Sequence, residues 1–276
     1  MAIKIGNTNI GKAYLGETEI KKLYLGANVI FDNTLNTDAF IIEVNTSNSG
    51  SPSDAFQFTG AEGDYDVIAK QNNIVVATFN DLSDEATITL PSNDFYVLEV
   101  TPKATNGFNR IRFNNSGDNN KLTDIKQWGN IVWSSFNGSF FNCDNSLITA
   151  TDSPNLSVCD NLGNMFLGSS LANPNLANWN FINIVDASRM MEGTPSTGEG
   201  VSNWDVSNMI NMNRIFTNSN LSVNELTACY ENWSQLNLQQ NVRFSGGTTK
   251  YNSSGQAGRD ILVNTYNWSI TDGGPA

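Results

Sequence analysis

Histidine is absent from the 276 residues. That removes the usual general base near neutral pH, the partner in Ser–His and Cys–His nucleophile pairs, and the commonest transition-metal ligand. Cysteine is scarce: Cys143, Cys159 and Cys229 are odd in number, widely spaced and match no CxxC or zinc pattern. They read as small buried hydrophobes, not as a disulfide framework. Positive charge is scarce too, with 15 Lys plus Arg against 27 Asp plus Glu and a net charge of -12. Too little remains for the basic face that phosphate backbones require, so no nucleic-acid partner is expected. No apolar run is long enough to span a bilayer, so no membrane insertion is expected. The opening MAIKIGNTNIGKAYLG lacks the basic and apolar regions of a secretory signal, which predicts a chain that stays in the cytoplasm where it is made.

What is abundant is asparagine, 42 residues of it, with 22 glycines. Both favour turns and left-handed backbone over long helices. Internal repeats come first in such a chain, because missing them misreads the whole fold. In residues 1–32, Gly6, Gly16 and Gly26 recur in one phase, Ile10, Ile20 and Ile30 in another, and Tyr14 with Tyr24 in a third. Alternating β-formers around a glycine corner predict a meander of short strands. About 30 residues cannot bury enough apolar surface alone, so this meander is expected to dock on something larger.

Residues 33–125 carry short strand candidates at Ala39–Val44, Ala55–Thr59, Tyr65–Lys70, Ile74–Phe79, Ala86–Leu90, Phe95–Thr101 and Arg110–Phe113. Spacing near ten residues, with turn clusters between, predicts a β-sandwich of immunoglobulin-like kind. From 126 to 221 a second repeat set aligns on Phe140, Phe166, Met191 and Phe216, at steps of 26, 25 and 25. Trp133, Cys159, Ile184 and Met209 share one apolar column, and Phe136, Leu162, Ala187 and Met212 another. Such columns predict a short leucine-rich-type solenoid, with a helical turn in each repeat and strands near Leu147–Ala150 and Leu171–Leu176. Residues 222–276 suit an α/β cap. Ser222 to Glu225 reads as a capping box opening a helix through Leu236, followed by a strand at Val242–Phe244, a helix over Ser254–Tyr266 and a strand at Trp268–Thr271.

The segment from Asn203 to Phe216, with its Trp-Asp-Val-Ser-Asn-Met core at 204–209, resembles the BspA-like leucine-rich repeats of surface proteins. The opening decapeptides are similar to Tyr-Leu-Gly-x-x-x-Ile segments that begin many tailed-phage virion proteins. With the ending from Tyr251 to Gly274, the whole arrangement resembles phage fibre proteins. The resemblance implies a virion protein, assembled in the host cytoplasm and held to other virion proteins through Ile10, Tyr14, Gly16, Ile20, Tyr24, Gly26 and Ile30. Its repeats would meet a host-surface glycan or protein. A homo-oligomer, with a trimer favoured, fits a short β anchor. The alternatives are a collar or decoration protein and a polysaccharide depolymerase.

No catalytic residue, metal or cofactor is expected, and the chain reads as a non-enzyme. Trp128, Trp179 and Trp204 share a column and are candidates for an exposed ladder that stacks sugars, or for packing between coils. Asn180 and Asn208 are candidates for hydrogen bonding to hydroxyls, or for turn-internal roles. The acidic pairs Asp64/Asp66 and Asp84/Glu85 lack calcium-loop spacing. Asn114 to Asp118 comes nearer to one but reads most simply as a hairpin turn.

Overall fold

The computed structural model describes residues 36–170 and 176–276 in full, and the backbone of six short strands within residues 4–32. Those strands form three antiparallel hairpins: β1 (Lys4–Ile5) with β2 (Thr8–Asn9), β3 (Ala13–Leu15) with β4 (Thr18–Ile20), and β5 (Lys22–Leu25) with β6 (Asn28–Asp32). Tyr14, Ile20, Tyr24 and Ile30 lie in β3, β4, β5 and β6 respectively, while Ile10, Gly16 and Gly26 lie outside the described residues.

The chain is mainly β. Strands β7 (Phe40–Asn45), β8 (Ala55–Gln57), β9 (Asp64–Gln71), β10 (Ile74–Ser83), β11 (Thr87–Thr89) and β12 (Phe95–Pro102) fall on the candidates that spacing and turn clusters marked, with β10 running past Phe79 to Ser83. With β13 (Leu122–Gln127) and β14 (Leu147–Ile148) they give a six-stranded sheet ordered β10-β9-β12-β7-β13-β14, and β8 pairs β11 apart from it. Inward residues Phe40, Ile42, Val44, Tyr65, Val67, Tyr96, Leu98 and Val100 are buried against Phe56, Phe58, Ile88 and Leu90. The expected strand Arg110–Phe113 does not form. Arg110 makes an isolated bridge to Glu62, and Phe113 turns to the chain beyond it.

From Phe113 onward, backbone hydrogen bonds link each repeat to the next. The N–H of Phe113 donates to Ser139 O (3.0 Å), Phe140 to Met165 O (2.8 Å), Phe166 to Met190 O (3.0 Å) and Met191 to Ile215 O (3.0 Å). Phe216 continues to Ser245 O (3.1 Å) and Gly246 to Thr271 O (2.9 Å). This ladder begins ahead of the expected start at 126 and runs through the segment expected to be a cap.

The helical turn expected in each repeat is corrected. Two successive tight turns stand there instead, closed by Ser139 N–H to Phe136 O and Cys143 N–H to Phe140 O, and again by Met165 to Leu162 and Ser169 to Phe166. The third position of the first turn is left-handed in every repeat: Gly138 (φ 68), Asn164 (φ 56), Arg189 (φ 56) and Arg214 (φ 61). The second turn repeats the pattern at Asn142, Gly168, Gly193 and Asn218. This is type II geometry, which needs φ > 0 there. It breaks the helical path and turns N–H groups toward the neighbouring repeat. Apolar columns at helical spacing survive because the turns also bury every third or fourth residue.

Near the C-terminus α1 (Val223–Trp233), β16 (Arg243–Ser245), α2 (Gln256–Asn264) and β17 (Ser269–Thr271) follow the expected order, and β15 (Asn211–Met212), β16 and β17 pair in parallel. Ser222 Oγ accepts the Glu225 N–H at 3.1 Å, as an N-cap should. Glu225 does not return to Ser222; its carboxylate accepts the Ser202 N–H at 2.7 Å and ties the helix to the preceding repeat. The expected strand at Leu171–Leu176 lies outside the described residues up to 175, and Leu176 opens a short 3-10 helix, Leu176–Asn178.

Gly129, after Trp128, stands where the other repeats carry Asn or Asp after Pro154, Trp179 and Trp204 (Asn155, Asn180, Asp205). It sits at φ 68, and a Cβ there would lie 2.4 Å from Ala39 O and 2.6 Å from Ala39 C. Gly129→Asn, although it restores the repeat pattern, is expected to cost about 1–3 kcal/mol by overpacking against fixed backbone. Urea midpoints test this, and an unchanged midpoint would refute the close approach.

Candidate recognition surface

The tryptophan column lies in the interior. Trp128, Trp179 and Trp204 are 0%, 4% and 2% exposed, so of the two readings packing between coils holds and their use as an exposed, sugar-stacking ladder is corrected. Trp128 meets Trp179 edge-on at 5.3 Å, Trp204 stacks on Phe181 at 3.9 Å, and the Trp204 indole N–H donates to Leu176 O at 3.2 Å. The hydrophobic gain from burying such large rings outweighs any use as a surface.

The asparagines are exposed but already employed. Asn155, Asn180 and Asp205 each accept, through the side-chain oxygen, the N–H two residues on, at 3.1, 3.1 and 3.0 Å. The same device recurs at Asn161, Asp186 and Asn211. These Asx turns fix the corners locally. Amides also bridge neighbouring repeats: Asn183 Nδ2 donates to Ser157 O (3.0 Å), Asn208 Nδ2 to Ile182 O (2.8 Å) and Gln239 Nε2 to Ser207 O (3.0 Å). The outward side is therefore a preorganised polar surface, with exposed Val132, Val158 and Ile210 among the amides.

Clefts open on the described residues in at least two places. One, of about 220 Å³, lies between the last repeat and α1, lined by Ser202, Asn203, Trp204, Asp205, Asn232 and Trp233. Another, of about 240 Å³, lies beside β12 and is lined by residues including Glu43, Lys70, Asp94 and the half-exposed Phe95.

The acidic pairs serve structure. Asp66 ion-pairs with Lys103 at 2.7 Å, Asp84 accepts the Gly63 N–H at 3.0 Å, Glu85 accepts the Gly60 N–H at 3.0 Å, and Asp64 accepts from Asn106. Asn114, Asn115 and Gly117 form a left-handed turn that leads into buried Asp118. Among the described residues no group of three or more Asp, Glu or Cys could hold a metal ion. Sequence reading missed the Tyr230–Asp272–Arg259 cluster: Asp272 accepts from the Tyr230 hydroxyl at 2.6 Å and from Arg259 Nε at 2.7 Å. Desolvation pushes the Asp272 carboxyl up, but those hydrogen bonds outweigh it and hold it below the usual range. The cluster fastens the final strand to both helices.

Residues 112–256 match the family described as "Mycoplasma protein of unknown function, DUF285". The match covers more than half of the chain and begins where the hydrogen-bond ladder begins, at Phe113. The chain belongs to the DUF285 family. No curated protein and no solved structure matches it. What the DUF285 region offers chemically is a rigid polar surface. All three thiols are buried, and burial pushes each of them above its ordinary value; a thiol held protonated is a poor nucleophile.

Burial raises Tyr65 and Tyr230 as well. Folded pKa values above unfolded ones mean that the folded state keeps protons the unfolded chain releases. Stability from these five groups is full below about pH 9 and falls as pH rises, by about 1.4 kcal/mol per group per pH unit once the unfolded group ionises. Burial lowers Lys121, which acts in the opposite sense but for one group alone. Denaturant midpoints should be level from pH 7 to 8.5 and drop steeply by pH 10.5; a flat profile would contradict the burial.

Proposed function

We propose that this chain is a non-catalytic recognition protein, a fibre-type virion component that meets the host surface through its repeats. The observation that carries the recognition half is the outward face of the repeats. Its Asx turns and inter-repeat amide bonds hold polar groups in fixed geometry, so little conformational entropy remains to be lost on binding. The ladder from Phe113 to Thr271, with isolated parallel bridges at Asn161, Asp186 and Asn211, supports reading residues 126–221 as a leucine-rich-type solenoid and 222–276 as its α/β continuation. The six-stranded sheet facing β8 and β11 supports an immunoglobulin-like sandwich over 33–125. The virion half rests on the sequence resemblance of the decapeptides in 1–32, read as an anchor to other virion proteins, in a homotrimer.

Two measurements test this. Antibody raised against the chain should label purified particles, and the purified full chain should bind host cells and compete with particles for them. Labelling without competition would favour a decoration role. Release of soluble oligosaccharide from host polysaccharide would replace the reading with an enzymatic one.

A further inference from the structure

The left-handed turn position that carries Gly138 and Asn164 in two repeats carries Arg189 and Arg214 in the next two, at φ 56 and 61. Glycine and asparagine enter that region easily, whereas a long side chain does so at a cost. Backbone strain kept at an exposed position points to use of the side chain. Both guanidinium groups converge on one carboxylate. Arg189 Nε pairs with Glu192 Oε2 at 3.2 Å and Arg214 Nη2 with Glu192 Oε1. Glu192 is nearly buried, while the arginine side chains are each 44% exposed. The carboxylate thus acts as a post that hydrogen-bonds Arg214 and holds Arg189 by charge alone, leaving each fork further N–H donors for a ligand. Asp186, the nearby acid on this face, spends its oxygens on Ser188 N–H and Asn211 Nδ2. Arg243, exposed on the next rung and paired in register with Asn211, adds a third positive charge. In a chain of net charge -12, two exposed arginines that share a single buried carboxylate keep unspent N–H donors toward solvent.

We propose that Arg189 and Arg214 form a carboxylate-binding site for a uronate-bearing glycan on the outward face of the DUF285 repeats. Arginine forks bind planar carboxylates in bidentate fashion, and preorganisation by Glu192 reduces the entropy lost on binding. The inference deepens the recognition reading and rests on it.

The test uses the full chain and three probes: polygalacturonate, neutral dextran and polyglutamate. The wild type should bind polygalacturonate, more weakly as salt rises, and should not bind dextran. The triple variant Arg189→Asn, Glu192→Leu, Arg214→Asn copies Asn164 and Leu167 of the preceding repeat, so it leaves no buried carboxylate unpaired. It should melt no lower than wild type and lose at least tenfold in affinity. Should it fail to fold, Arg189→Lys with Arg214→Lys keeps both charges on Glu192 and removes the forks, and should still lose several-fold. Equal affinity in a folded variant, no binding by the wild type, or binding of polyglutamate alone would each overturn the proposal. Cell binding without polygalacturonate binding would sink this site and leave the recognition reading intact; the reverse result would sink that reading and keep the site.

Discussion

Lys121→Met is expected to lower stability by about 3–5 kcal/mol, the cost of breaking a buried ion pair from one side. The Lys121 and Asp118 side chains are both 0% exposed, with Nζ 3.7 Å from Oδ1. The ammonium donates to Ser51 O, Ser51 Oγ, Pro52 O and Ala55 O at 2.7 to 2.9 Å. Asp118 accepts the Ser51 N–H at 2.6 Å, the Ser51 hydroxyl at 2.7 Å and the Gln57 N–H at 2.6 Å. Together they pin the loop before β8 and thus hold the β8–β11 pair over the main sheet. Removing the ammonium leaves a buried carboxylate without its counter-charge and takes one donor from each of three carbonyls, of which Pro52 O keeps the Ala55 N–H at 2.8 Å. The double variant Lys121→Met, Asp118→Leu should recover part of the loss, because neither charge is then left alone, and a double-mutant cycle in urea measures the coupling. A loss below about 1 kcal/mol for the single variant, the size seen for exposed pairs, would show that water reaches the site.

A buried acid close to this pair explains one gap in what the sequence disclosed. Strand β13 was not expected, because Asp124 interrupts its apolar pattern and nothing local reveals that this carboxylate is buried and bonded to Thr149, 25 residues on. Strands β7 to β12 were legible because short runs of β-forming residues recur about every ten residues and the turns between them carry Gly, Asn and Pro. The 25-residue phase was legible from the apolar columns, and the helix at Val223 from its cap. The conformation within each repeat was not. Two type II turns and a helix bury apolar residues at much the same spacing, and only the left-handed positions tell them apart. Gly138 and Asn164 would have hinted at this; Arg189 and Arg214 concealed it. Of the candidate site, the asparagine corners were legible as polar and turn-forming. The tryptophan column was ambiguous between surface and interior, since recurrence alone fixes a column without fixing which way it points.

Trp128→Ala is the second large effect expected, about 3–5 kcal/mol for truncating a fully buried tryptophan. Its ring lies 6.0 Å from Phe40 on β7, 5.5 Å from Phe136, 5.9 Å from Phe140 and 5.3 Å from Trp179. One side chain therefore belongs both to the core of the sheet and to the core of the repeats. Strand β14 continues the join by pairing in parallel with β13, and the buried cluster runs unbroken from Phe40 to Trp268. A core shared in this way predicts one cooperative transition for residues 36–276, in spite of the sequence division at 125. Small domains hold only about 5–15 kcal/mol in total, so a defect at the join should weaken both sides together. Near-ultraviolet and far-ultraviolet circular dichroism should report the same midpoint in wild type and the same downward shift in Trp128→Ala. Two separated transitions, only one of them moved by the substitution, would mean that the sheet and the repeats fold as independent units that merely touch at Trp128.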